Sequence, residues 1–390
     1  MEYVKLGDLI SLVIDYRGKT PLKLKGEWAS EGYRALSALN VKTGGLVAED
    51  KIRFVNEDLY HKWMKQEVNR GDILITSEAP FGQVLQWNSD EKIVLSQRLF
   101  AIRIKTDVDN RYVYYYMTSQ PFQGELKARA TGSTVEGLRQ PALMKCRLSL
   151  PELPLQHRIA SILSTYDTLI ENNTKRIRLL EKMAENLYKE WFVRFRFPGH
   201  ENVEMENGLP KGWKVKKYED ELNVKYGKGL PTDKLTKDGF PVFGSNGQIG
   251  YYTSYMYDTP QILISCRGAS SGVVNISLPK SFITNNSLIC EMTNKTESVF
   301  EYLKYCFLNT NLVQYQTGSA QPQITINNIV KLKLLIPSTD VQIKFADKVR
   351  ILDKEVGNLQ HQNSLLAYQR DLLLPRLMSG KLEVKEELLE

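Results

Sequence analysis

Between Leu155 and Phe197 the chain has neither proline nor glycine, and its apolar side chains recur every seven residues. Leu163, Tyr166, Ile170, Ile177, Leu180, Ala184, Leu187 and Trp191 occupy successive a and d positions, and Asn173 alone interrupts the column. A heptad held this long specifies a helix with one narrow apolar seam, and such a seam needs a second helix to cover it.

The chain supplies that helix itself. Adding 186 to each number gives Val349, Leu352, Val356, Leu359, Asn363, Leu366, Arg370, Leu373 and Leu377. The same offset relates Thr131-Gly132-Ser133 to Thr317-Gly318-Ser319, Pro151 to Pro337, Gln156 to Gln342, Ala160 to Ala346 and Asp167 to Asp353. The chain is therefore a duplication, each unit a globular segment followed by a long helix. An antiparallel pair places a against d, so facing residue numbers add to a constant. A sum of 536 sets Asn173 against Asn363, Leu163 against Leu373 and Tyr166 against Arg370, where ring and guanidinium stack. A shift of one heptad would set each amide against an apolar residue at about 1–3 kcal/mol per unsatisfied group.

At 390 residues the chain exceeds one ordinary domain and suits two, with 42% hydrophobic and 25% charged residues. The expected boundaries are 1–150 for the first globule, 151–197 for the first long helix, 198–337 for a linker and the second globule, 338–380 for the second helix and 381–390 for a tail. No apolar run is long enough to span a bilayer and no basic leader precedes the first strand, MEYVKLGDLISLVI, so a cytoplasmic protein is expected. Cys146, Cys266, Cys290 and Cys306 lack CxxC spacing and His is scarce, so neither a disulfide framework nor a metal site is written here. The net charge of +7 fits a polyanionic partner, yet no segment is a basic tail, so its cations must act from one face.

Two motifs invite a nucleotide-binding reading and fail it. Gly18-Lys19-Thr20 has Val13 where a phosphate loop has its first glycine, and Pro21 follows where a helix should run. Gly244-Ser245-Asn246-Gly247-Gln248-Ile249-Gly250 spaces its glycines GxxGxxG and leads into no long helix, so it reads as a recognition turn. Polar loops carried by rigid strands are the better candidates for recognition. In the first globule these hold Arg17, Lys19, Thr20, Ser77, Glu78, Gln97, Arg98 and Ser133. In the second they hold Lys225, Lys228, Ser245, Asn246, Arg267, Ser270, Asn285, Asn286, Ser319 and Gln321. Gln and Arg side chains match adenine and guanine edges bidentately, which makes Gln97-Arg98 a suggestive pair.

The stretch PELPLQHRIASILSTYDTLIENNTKRIRLLEKMAENLYKEWFVRF resembles the central region of type I restriction–modification specificity subunits, and LLLPRLMSGKLEV resembles their C-terminal signature. RGKTP, GDILITSEAPFG, GLPKGW and VFGSNGQIGYY are similar to family pieces within the globules. The resemblance implies an α+β chain with an internal pseudo-twofold repeat: two target recognition domains separated by two long antiparallel helices that form a coiled coil. Each domain would read one half of a bipartite site in double-stranded DNA, and the helices would set the spacer. It implies two methyltransferase subunits as partners, which bring S-adenosylmethionine, and restriction/translocase subunits with ATP and Mg where they are present. This chain would carry no cofactor and no catalytic residue. A coiled-coil adaptor whose globules bind proteins is the competing reading, and salt-dependent binding to duplex DNA separates the two.

Overall fold

The computed structural model describes residues 2–132, 136–318 and 321–384. The chain divides into two compact units, Met1–Thr174 with His361–Glu390, and Lys175–Gln360. Each unit thus holds one globule together with part of each long helix.

In the first unit a four-stranded antiparallel sheet runs in the spatial order Ile10–Asp15, Leu99–Ile104, Ile73–Thr76, Val84–Gln86. Its inner strands read ILIT and LFAIRI with almost no polar interruption, because both faces are covered. Successive side chains point to opposite faces. Ile73, Ile75, Phe100 and Ile102 enter one core with helix Asn110–Thr118, and Leu74, Leu99 and Ala101 enter a second core with helix Glu57–Trp63. A three-stranded sheet, Arg53–Val55, Tyr33–Leu36 and Ile93–Leu95, lines the second core, and its last pair is parallel. The opening segment is not one continuous strand. Glu2–Lys5 pairs with Arg147–Leu150, and Leu6–Leu9 forms a helical turn before Ile10–Asp15, because Leu6 and Leu9, three apart, are both buried.

The second unit repeats this plan. The order Leu222–Tyr226, Ser287–Met292, Ile262–Ser265, Val274–Ile276 is again antiparallel, and the accompanying sheet again ends in a parallel pair, Phe240–Gly244 with Phe282–Ile283. Ile262, Ile264, Leu288 and Cys290 face one core with helix Phe300–Leu308, and Leu263 and Ile289 face another.

The residues repeated at an offset of 186 form the joint between globule and helix. Gln156 is buried; its Nε2 donates to Pro151 O at 2.7 Å and its Oε1 accepts from Asp109 N at 3.0 Å. Gln342 does the same with Pro337 O at 2.8 Å and Val299 N at 2.8 Å. Tyr112 Oη donates to Ser149 O and Tyr302 Oη to Leu335 O. Tyr115 and Tyr305 donate to Asp167 and Asp353 at 2.6 and 2.7 Å. Two buried donor–acceptor clasps of one design hold each globule to its own helix.

The long helices run Leu153–Tyr188, continued by a π-turn Lys189–Val193, and Thr339–Met378, which carries Pro375 within its last turns. In the first unit Leu163 packs in the same core as Leu373 and Leu377, and Asn173 Nδ2 donates to Asn363 Oδ1 at 3.0 Å. In the second, Ala184 and Leu187 pack with Val349 and Leu352, and Arg176 pairs with Glu355 at 2.9 Å. Within each unit the paired numbers rise on one helix as they fall on the other, so the segments are antiparallel. The Arg370 guanidinium does not stack on Tyr166. It is taken by Asp167 and Asp371, and, although burial opposes the charged form, these carboxylates hold its pKa above the usual arginine range.

Candidate functional site

The strand Ile73–Thr76 ends by handing the chain to Ser77-Glu78, and the strand Leu99–Ile104 begins just after Gln97-Arg98. Since these strands pair with Leu99 opposite Thr76, the two loops leave the sheet side by side. Ser77 N donates to Arg98 O at 2.8 Å, and Leu138 N donates to Ser77 O at 2.9 Å, which brings a third segment alongside. The turn after Asp15 completes the rim.

Together these segments enclose an open cleft of about 1010 Å³ whose lining includes Arg17, Lys19, Thr20, Ser77, Glu78, Gln97 and Arg98. Seven of the eight residues expected in the first globule thus share one site. The eighth, Ser133, lies outside the described residues. Asp15, Tyr16, Lys23, Gly137, Leu138 and Arg139 also line the cleft and were not anticipated. The offset of 186 equates Gly137 with Gln323, inside a loop already expected to recognise a ligand, so the duplication carried that signal.

The cations of the cleft differ in how far they are committed. Arg17 is bidentate to Asp15, with Nε at 2.9 Å and Nη2 at 2.6 Å, its Nη1 donates to Leu138 O at 3.1 Å, and it lies over the Phe100 ring. Lys19 Nζ donates to Trp63 O at 2.7 Å and sits 4.2 Å from the Tyr16 ring centroid; burial, with Lys65 nearby, pulls its pKa below the usual lysine value. Among the described residues Arg98 has one partner, the Glu78 carboxylate, whose Oε1 lies 3.0 Å from Nε in an ion pair. The Thr20 hydroxyl accepts from Lys23 N at 3.3 Å, stabilising its own turn.

The second unit builds the same platform from different side chains. Cys266 N donates to Asn286 O at 3.0 Å and Ile324 N to Cys266 O at 3.0 Å, the counterparts of the Ser77–Arg98 and Leu138–Ser77 bonds. Arg267 therefore stands where Glu78 stands, Asn286 where Arg98 stands and Asn285 where Gln97 stands. Arg267 bridges to Gln323, and Gly268 N donates to Pro322 O at 3.2 Å, which sets exposed Gln321 beside this group. Lys228 joins it through Asn285 N to Lys228 O at 3.1 Å. Gly227 allows this approach, since a Cβ there would strike the Ile283 and Thr284 carbonyls. Ser245 O accepts from the Ser265 hydroxyl, and Asn246 lies at the tip of the hairpin that follows. Ser270 lies in the turn from Arg267 to Gly272, where its carbonyl accepts from Val273 N. Lys225 is elsewhere: its Nζ pairs with Glu291 at 2.9 Å on the sheet face near Tyr257, and that bond raises its pKa. Ser319 lies outside the described residues.

Gly18-Lys19-Thr20 leads into the 3₁₀ turn Leu22–Leu24 and not into a long helix, so it lacks the dipole that a phosphate loop uses. Among the described residues no group of three or more His, Cys, Asp or Glu side chains could hold a metal ion. No helix among them is long and apolar enough to cross a membrane.

Both halves of the chain match one family model, described as "Type I restriction modification DNA specificity domain", over residues 1–182 and 210–367. The type I restriction enzyme MjaIX specificity subunit of Methanocaldococcus jannaschii is 29% identical over 344 residues, which is 81% of this chain and 79% of that one. The MjaVIII specificity subunit of the same organism is 22% identical over 414 residues, covering 98% of this chain and 93% of the relative. Among solved structures, the S subunit of a type I restriction–modification system from M. genitalium has the same fold, with a TM-score of 0.56 at 19% identity over 98% of this chain and 96% of that one.

Proposed function

Because the chain belongs to the type I restriction–modification DNA specificity family, whose model spans both its halves, we propose that it is the non-catalytic DNA-reading subunit of such a complex. One observation carries the reading of two half-sites. The platform Ser77–Arg98–Leu138 recurs as Cys266–Asn286–Ile324 with the same backbone hydrogen bonds, while the side chains it presents change from Glu, Gln and Arg to Arg, Asn and Asn. A common scaffold with exchanged polar tips recognises two different sequences by one geometry.

Each platform meets one half of a bipartite duplex target. Cations with free donors hold phosphates and fix the register, and Gln, Asn and Arg side chains read base edges in the major groove. The two long helices set the number of unread base pairs between the halves. They also carry exposed apolar residues, Leu169 and Tyr368 in the first unit and Leu179 and Ile351 in the second, which suit the docking of two methyltransferase subunits. S-adenosylmethionine acts on those partners, and ATP and Mg on restriction subunits where they are present. The assembly works in the cytoplasm on host DNA.

The test is to map methylated adenines in the host genome with and without this chain. One bipartite motif should disappear with its loss, and an unchanged methylation pattern would refute the proposal. Duplex affinity should also fall steeply with salt, as counterion release requires. Binding that is indifferent to salt would favour a protein-binding adaptor.

A further inference from the structure

The geometry of the first cleft points to a division of labour among its cations, and we propose that Arg98 is its base-reading side chain, taking the O6 and N7 edge of a guanine, with Glu78 as the positioning residue that aims it. The assignment rests on the reading of the chain as a DNA specificity subunit.

Three other cations of the cleft already donate to groups of their own unit, and the two lysines among them lack a planar fork. Arg17 has Nε and Nη2 on Asp15 and Nη1 on Leu138 O. Lys19 donates to Trp63 O and Lys23 to Gly18 O. Arg139 is exposed and forms no ion pair among the described residues, which suits a mobile phosphate contact better than a fixed base contact. Arg98 combines constraint with availability. Its Nε lies 3.0 Å from Glu78 Oε1 in an ion pair, its side chain is 51% exposed, and neither Nη group has a partner among the described residues. A guanidinium paired with a carboxylate along one edge presents the other two nitrogens as a planar fork, the shape that a guanine edge accepts bidentately.

The backbone supports the same assignment independently. Arg98 has φ 60, in the left-handed region that non-glycine residues avoid. Its carbonyl is gripped there by Ser77 N at 2.8 Å and by Ser77 Oγ at 3.3 Å. Strain of this kind persists only where the surroundings enforce it, and it collects at ligand-contacting positions. The second platform places Asn286 at this point and Arg267 opposite, so among the described residues it has no carboxylate-paired guanidinium at this point.

The experiment uses the full chain assembled with its methyltransferase partners and selects binders from randomised duplexes. Glycine adopts the left-handed conformation without strain, so Arg98→Gly keeps the fold while removing the fork. It should lose discrimination at a single G·C pair of one half-site, by roughly 5- to 150-fold, with the other half-site unchanged. Glu78→Ala should relax the same base pair and no other. A merely structural Glu78 would lower the melting temperature and leave the selected sequences as they were, and that result would overturn its role. If Arg98→Gly weakens all sequences evenly and lowers the salt slope by about one, Arg98 is a phosphate contact and the assignment fails. An unchanged selection also overturns it. Absence of any sequence preference in the unaltered complex would instead defeat the DNA-reading function, and this assignment with it.

Discussion

Asn173 and Asn363 show how a single polar pair limits the packing of two helices. Asn173 is buried, its Nδ2 donates to Asn363 Oδ1 at 3.0 Å, and Asn363 in turn reaches Thr174 at 3.4 Å. Replacing Asn363 by Leu leaves the Asn173 amide without its main partner and should cost about 1–3 kcal/mol, read from urea unfolding. Replacing both by Leu should restore most of that loss, since apolar residues of similar shape fill the seam, but the register then loses its selector. A double variant as unstable as the single one would contradict the argument. The cysteines give a second test at this scale. All four are buried, and burial pushes the Cys146 thiol up to about 11. At pH 7.5 that thiol is neutral, and only the thiolate attacks an alkylating agent. Iodoacetamide should therefore label Cys146 slowly in the native chain and quickly after unfolding; equal rates would refute it.

At the scale of elements, the heptads and their repetition make the two helices and the duplication legible before any coordinates. What the pattern omits is non-local. The parallel pairing of Tyr33–Leu36 with Ile93–Leu95 joins segments far apart in sequence and leaves no periodic trace in either. Leu6–Leu9 sits inside a run that alternates like a strand, and tertiary burial of Leu6 and Leu9 overrides that local pattern. The candidate loops were legible as turns after buried strands, but the commitment of each side chain was not. Arg17 is neutralised by a carboxylate two residues away, and Lys225 points to Glu291 on the partner strand. Such choices depend on χ angles that spacing does not encode. The glutamine clasps give the element-scale prediction. Gln156→Ala should orphan the Asp109 N–H and Gln342→Ala the Val299 N–H, each costing about 1–3 kcal/mol. Hydrogen exchange should rise first at Asp109 in one variant and at Val299 in the other. A rise spread evenly over both units would show that the clasps are not local.

For the whole molecule, the duplication predicts modular specificity. Replacing residues 198–337 by the same segment of a relative should change one half of the methylated motif and leave the other, read from genome-wide adenine methylation. A change in both halves would refute it. The helix Leu153–Tyr188 carries the division between the units, at Thr174 and Lys175, inside one unbroken element. Lengthening that helix should alter the unread spacer and not the bases read, and a variant with altered half-sites would overturn the spacer role.

The same division imposes an order on synthesis. The second unit is one contiguous stretch, Lys175–Gln360, whereas the first needs residues from both sides of it, Met1–Thr174 and His361–Glu390. A ribosome adding about 5–20 residues per second takes roughly 10–40 s to cross the intervening stretch. Throughout that interval the nascent first unit waits without Asn363, Leu373 and Leu377, whereas the second unit has all of its parts as soon as Gln360 is joined.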